Sequence, residues 1–151
     1  EVRSWKEVGG PDRQIVVVDK ERHRGTRHVF MQYVFGNASQ RTPGTLLVTG
    51  SNNEEQAKIA QSDSAIGMLS FAWVNDDVKA ISLGDQGKEI LPTWKSVQQG
   101  KYPIIRKLNF ITAGEPEGDI KTFIDFVRGE IGQKIVQESG YLPTGRGSVQ
   151  P

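Results

Sequence analysis

The sequence predicts an α/β fold with at least some parallel strand pairing. Short β-branched apolar runs alternate with stretches of helical spacing along most of the chain, which is the pattern of strand–helix crossover units. Gly, Pro, Asn and Asp fall between those stretches and mark the turns. At 151 residues the chain is long enough to bury one core of its own, so a single domain over residues 1–151 is expected.

Gly9, Gly10 and Pro11 form a turn, and Ile15 to Val18 then reads as a short buried strand. A helix is expected from about Thr26, with Val29, Phe30, Tyr33 and Val34 at helical spacing toward a core and Gly36–Asn37 as its stop. After a turn at Pro43–Gly44, Leu46 to Thr49 reads as a second strand. Ser51 followed by Glu54 has the spacing of a capping box and opens the next helix. The segments "AIGMLSFAWV" (65–74) and "VKAISL" (78–83) read as two strands about a tight turn at Asn75, Asp76 and Asp77.

"PTWKSVQQG" predicts a short helix capped by Thr93 and stopped by Gly100, and "YPIIRKLNFIT" a return to strand. In "GDIKTFIDFVRG" the residues Ile120, Phe123, Ile124 and Val127 recur at three and four residues, an amphipathic helix ending at Gly129. A further helix follows, with Ile131, Ile135 and Val136 inward and Gly140 as terminator. The tail from residue 144 is expected to be mobile.

Composition excludes several functions. With 19 basic and 18 acidic residues the formal net charge is +1, too little to hold nucleic acid or an anionic membrane through a bulk field. There is no cysteine, hence no disulfide framework, thiol nucleophile or zinc ribbon. No apolar run reaches the roughly 18–20 residues of a membrane span. The chain opens on Glu1 and reads as the middle of something longer.

One stretch stands out chemically. "VVVDKERHRGTRHVF" brings Lys20, Arg22, His23, Arg24, Arg27 and His28 together between the first strand and the first helix. A helix start carries roughly half a positive charge, so each cation there costs from a few tenths to about 1 kcal/mol unless offset. An oxyanion offsets it: first-turn amides point at the anion, Gly25 admits close backbone approach, Thr26 donates a hydroxyl and guanidinium groups supply paired donors. The plainer alternative is an exposed basic turn neutralised by Asp19, Glu21 and solvent.

Other chemistries fit less well. Nucleic-acid binding calls for aromatic residues among the basic ones, and this cluster is short and isolated. A histidine phosphatase places a nucleophilic histidine in an Arg-His-Gly run, but Arg24 separates His23 from Gly25 and no histidine follows His28. His23 and His28, five residues apart, do not share a helix face and make a poor metal pair. No catalytic residue, metal ligand or cofactor is therefore expected.

Beyond the loop, "SWKEVGGPDRQIVVV", "GTRHVF", "AIGMLSFAWV", "VKAISL", "GKYPIIRKLNFIT" and "GEPEGDIKTFIDFVRGEIGQKIVQESGYLP" occur in the order and at the spacings of one family. From Trp5 to Pro143 the chain resembles the phosphate-binding proteins of bacterial phosphate ABC transporters. The resemblance implies a periplasmic-binding-protein-like (type II) lobe: a mixed, mostly parallel sheet flanked by helices. Residues 15–104 would form the core of the second lobe, and 105–143 the returning strand and C-terminal helices. It also implies a periplasmic or cell-surface location and an ABC permease as partner.

In that family an Arg-rich loop ending Ser-Gly-Thr opens a helix and holds the oxyanion. Gly25 and Thr26 match it directly, and Arg27 matches the arginine that often follows. Arg24 stands where the family has Ser, Arg22 where it often has an acid, and Lys20 where it has Arg. The acid accepts a hydrogen bond from protonated phosphate, so with Arg22 in its place a more highly charged or differently sized oxyanion is expected to be tolerated at least as well. Expected binding residues are thus Arg24, Gly25, Thr26, Arg27, Arg22 and Lys20.

Family members are substantially longer, and the resemblance implies that the N-terminal part of their first lobe would lie upstream of Glu1. Phe123, Phe126, Ile131 and Ile135 are then expected to lose packing partners, which predicts self-association or cover by a separate first lobe. A scaffold of the same fold that binds no ligand is the rival function.

Overall fold

A computed structural model describes residues 2–84 and 88–144. The expected tail beyond residue 144 lies outside the described residues. The chain divides into two compact units, Glu1–Arg106 and Lys107–Pro151.

The first unit is built on three parallel strands, β1 (Val16–Lys20), β2 (Thr45–Thr49) and β3 (Ala65–Ile66), in the order β2-β1-β3. Between them run α1 (Gly25–Phe35) and α2 (Asn52–Ala60), the crossovers that parallel pairing requires. A short helix, α3 (Trp94–Gln98), is capped by the Thr93 hydroxyl as expected, and Gly100 takes a left-handed φ of 65° just beyond its end. Two isolated antiparallel bridges, Ser4 with Gln14 and Leu83 with Ile90, make up the antiparallel pairing among the described residues.

β1 is the central strand, and successive residues of a strand point to opposite faces. Asp19 accordingly meets Arg27 of α1, while Lys20 meets Glu55 of α2. These two ion pairs dominate the interior: the largest fully buried side chains are Arg27, Met31, Glu55, Val18 and Thr49. The expected inward face of α1 is therefore corrected. Tyr33 and Val34 are about half exposed, and the helix buries Arg27 and Met31, one turn apart, because Asp19 draws the guanidinium inward.

Three further expectations change. The capping box at α2 is half formed: the Ser51 hydroxyl accepts from Glu54 N at 3.1 Å, but the Glu54 carboxylate accepts from Gly50 N rather than from Ser51. Of the strand expected over 65–74 only Ala65–Ile66 pairs; Phe71–Trp73 is a 3-10 turn, and 78–83 forms no strand although the Asn75–Asp77 turn is present. "YPIIRKLNFIT" forms no strand among the described residues, since a strand exists only where a neighbour supplies its hydrogen-bond partners.

The second unit pairs α4 (Gly118–Arg128) with α5 (Glu130–Glu138), joined through Gly129. Phe110 and Phe123 meet edge to face within it, with ring centroids 5.9 Å apart. Of the side chains expected to face inward here, Ile120, Phe123, Ile131 and Ile135 are about half exposed or more, while Ile124 and Val127 are part-buried; Phe126 is also about half exposed. The amphipathic pattern was present, but these two helices are too small a unit to bury both apolar faces. Among the described residues no helix is long and apolar enough to cross a membrane.

Candidate anion-binding site

The carboxyl end of the central strand leads through residues 21–24 into α1, the position where open parallel sheets hold ligands. Sequence explains the local geometry. Glu21 N donates to Thr49 O at 3.0 Å and Arg24 N donates to Glu21 O at 3.0 Å, which turns the chain sharply off the sheet. Arg24 then takes the N-cap position with extended φ and ψ of −74° and 128°, and its side chain makes no capping bond. No acidic residue lies in the first turn of α1. Among the described residues the amides of Gly25 and Thr26 have no acceptor, at the positive end of an 11-residue helix.

The predicted residues separate into two groups. Arg24, Gly25, Thr26 and Arg22 stand at the helix mouth. Arg24 and His23 each lie 3.5 Å from the Glu21 carboxylate, a loose contact between partly exposed groups. Arg22 is exposed, and the Thr26 hydroxyl makes no hydrogen bond among the described residues.

Arg27 and Lys20 are instead buried in ion pairs. Arg27 is 2% exposed; its Nε donates to Asp19 Oδ1 at 3.0 Å, and its terminal nitrogens donate to Asp19 Oδ2, Gln40 O and Ala38 O. Lys20, 3% exposed, pairs with Glu55 and reaches Ser51 O at 3.4 Å. In this arrangement neither cation offers a free donor fork to an anion, and both act as ties beneath the loop.

Glu55 is fully buried. Burial pushes its carboxyl above the ordinary range, against the pull of Lys20, the Met68 amide and the Thr49 hydroxyl.

A residue missed in the sequence completes the mouth. A Cβ placed on Gly25 would clash with the guanidinium of Arg106, so Arg106 lies directly against the backbone that opens α1. Arg106 is exposed and has no ion-pair partner among the described residues. In "YPIIRKLNF" nothing distinguishes it from any surface arginine; the only signal was the bare Gly25, which leaves room for a planar group to approach. Arg24 and Arg106 thus supply charge near a positive helix end, with Arg22 two residues before the N-cap; among the described residues Glu21 is the carboxylate that the loop cations meet. Two surface depressions elsewhere, one framed by Arg128, Gly129, Glu130, Gln133 and Thr144 and one by Lys79–Ser82 with Glu89 and Leu91, carry no comparable charge pattern.

A family model described as a PBP superfamily domain matches residues 1–130. The chain belongs to the PBP superfamily. Over 143 residues, 94% of this chain and 46% of the relative, it is 36% identical to the phosphate-binding protein PstS of Bacillus subtilis. A Clostridium perfringens substrate-binding protein named for phosphate ABC transport and solved with bound phosphate is 29% identical, with a TM-score of 0.74 over 95% of this chain and 57% of that one. An ABC-type phosphate transport receptor from Vibrio cholerae is 26% identical, with a TM-score of 0.66 over 93% of this chain and 57% of the other. The chain spans about half the length of these relatives. As a PBP-superfamily member it has the α/β architecture expected of it, with a parallel sheet flanked by helices.

Proposed function

We propose that this chain is the oxyanion-binding lobe of an ABC-transporter substrate-binding protein, with phosphate as first ligand. The observation that carries the reading is the uncapped first turn of α1: open amides at Gly25 and Thr26, the free Thr26 hydroxyl, Arg24 at the N-cap and Arg106 against Gly25. An anion there satisfies donors that no side chain caps and neutralises cations set against a positive dipole. The relatives' names and the bound phosphate of the Clostridium protein support phosphate over other oxyanions.

The binding set is Gly25, Thr26, Arg24, Arg22 and Arg106. Lys20 and Arg27, from the sequence-derived set, contribute from beneath by fixing the loop. No chemical step is required of the site, in keeping with relatives named for binding and transport. Its protein works outside the cytoplasmic membrane, delivering the anion to an ABC permease.

A cleft of this kind closes on its ligand from both sides. One side alone loses several of the roughly 8 kcal/mol that micromolar binding represents, so this chain by itself binds phosphate with a Kd of about 1 mM. The exposed apolar residues of α4 and α5 are covered in the working protein by the remaining lobe or by a second copy. Calorimetric titration with phosphate, sulfate, arsenate and molybdate at low salt tests the reading. Saturable binding weakened by Thr26→Ala supports it, and absence of binding to every anion favours the non-binding scaffold.

A further inference from the structure

Glu55 sits on α2, yet its carboxylate gathers groups from all three strands. It pairs with Lys20 at the end of β1, takes a share of the Thr49 hydroxyl proton at 3.3 Å at the end of β2, and accepts the amide of Met68, just after β3, at 2.6 Å. Gly67 makes this possible: a Cβ there would lie 2.5 Å from Glu55 Oε1 and 3.1 Å from Val18 O. A fully buried carboxylate is costly unless its oxygens are hydrogen-bonded, and here each oxygen meets a donor at the carboxyl edge of the sheet.

We infer that Glu55 is a positioning residue for the anion site, joining the carboxyl ends of the three strands into the floor from which the basic loop rises. The path to the site is short. Thr49, which shares its hydroxyl between Glu55 Oε2 and Asp19 O, accepts the Glu21 amide through its carbonyl; Glu21 O in turn accepts the Arg24 amide, and Gly25 follows. A shift at the floor therefore reaches the first-turn amides through two backbone hydrogen bonds. Glu55 itself touches no ligand. The surface helix "NNEEQAKIA" hides it in sequence, although Glu55 and Ile59 are one turn apart on the inward side.

This inference rests on the anion reading above. Glu55→Gln keeps the side chain's size and one acceptor but removes the pairing with Lys20. Thr49→Val removes only the shared hydroxyl and keeps the side chain's shape. Folding of each variant is checked by circular dichroism, and phosphate affinity is then measured beside wild type. We expect affinity to fall about tenfold in Glu55→Gln, the scale of a displaced binding geometry, and about threefold in Thr49→Val.

Unchanged affinity in a folded variant overturns the inference, because a purely stabilising role alters Tm and leaves the folded site alone. A rise in affinity also overturns it, since Glu55 would then be holding Lys20 away from the ligand. Should Glu55→Gln not fold, Thr49→Val decides by the same criterion. Should wild type bind no phosphate, the function reading fails while this one is still decided by amide hydrogen exchange: faster exchange at Glu21 and Arg24 in Thr49→Val supports positioning, and unchanged exchange refutes it.

Discussion

Replacing Arg27 by Met tests whether this arginine supports the fold or binds the ligand. The guanidinium is 2% exposed and the Asp19 side chain 8%. Removal would leave Asp19 with Thr42 Oγ1 at 2.7 Å and the Lys20 amide at 2.8 Å as its donors, and would strand the carbonyls of Gln40 and Ala38. Breaking one side of a buried pair costs about 3–5 kcal/mol, a large part of the roughly 5–15 kcal/mol that holds a domain folded. For a chain of this size that corresponds to a fall in Tm of roughly 10–15 °C. Urea denaturation followed by circular dichroism gives the free energy directly. Adding Asp19→Asn should recover part of the loss, because the leftover charge is removed. If Arg27→Met loses less than about 1 kcal/mol while phosphate affinity collapses, Arg27 is a ligand and the assignment of its side chain to the core is wrong.

Three further outcomes are expected. Arg24→Ser places a hydroxyl at the N-cap of α1 and should stabilise the chain by about 1 kcal/mol in thermal melts; no gain would mean that the first-turn amides already have a partner. Arg106→Ala should weaken anion binding and flatten its dependence on salt with little change in Tm, as for an exposed cation near the ligand; an unchanged salt dependence removes Arg106 from the site. Burial raises the Glu55 carboxyl, so the folded chain holds that proton more tightly than the unfolded one. Relative to Glu55→Gln, the wild type should gain stability as pH falls from above the raised value toward the ordinary 4.5 and then level off. The charged group facing Glu55 is Lys20, and a pH-independent difference between the two proteins contradicts this assignment.

The legible parts of the fold were those set by local chemistry. β1 and α1 could be read because a β-branched run, a Gly-Thr helix entry and the Gly36 stop each have a local cause. The strands expected over 78–83 and in "YPIIRKLNFIT" required neighbours that sequence cannot supply, and the described residues pair neither as a strand. The inward face of α1 was misread because apolar spacing outweighed the pull of Asp19 on Arg27.

The candidate site was half legible for the same reason. A cluster of cations is visible in one dimension, but which of them have buried carboxylate partners is not. Lys20 and Arg27 look like Arg22 and Arg24 in sequence, yet Glu55 and Asp19 draw the first two inside. Arg106 reaches Gly25 from 81 positions away, as the numbering of the two residues gives, a distance across which no local pattern extends.

The proposed function stands on an oxyanion held at the first turn of α1. Its most direct test is titration of phosphate into the wild-type chain and into Thr26→Ala at low salt, with binding heat as readout. Saturable binding near millimolar is expected in the wild type and at least severalfold weaker binding in the variant, with the fold intact. Equal binding by the two proteins, or heat from neither, would contradict it.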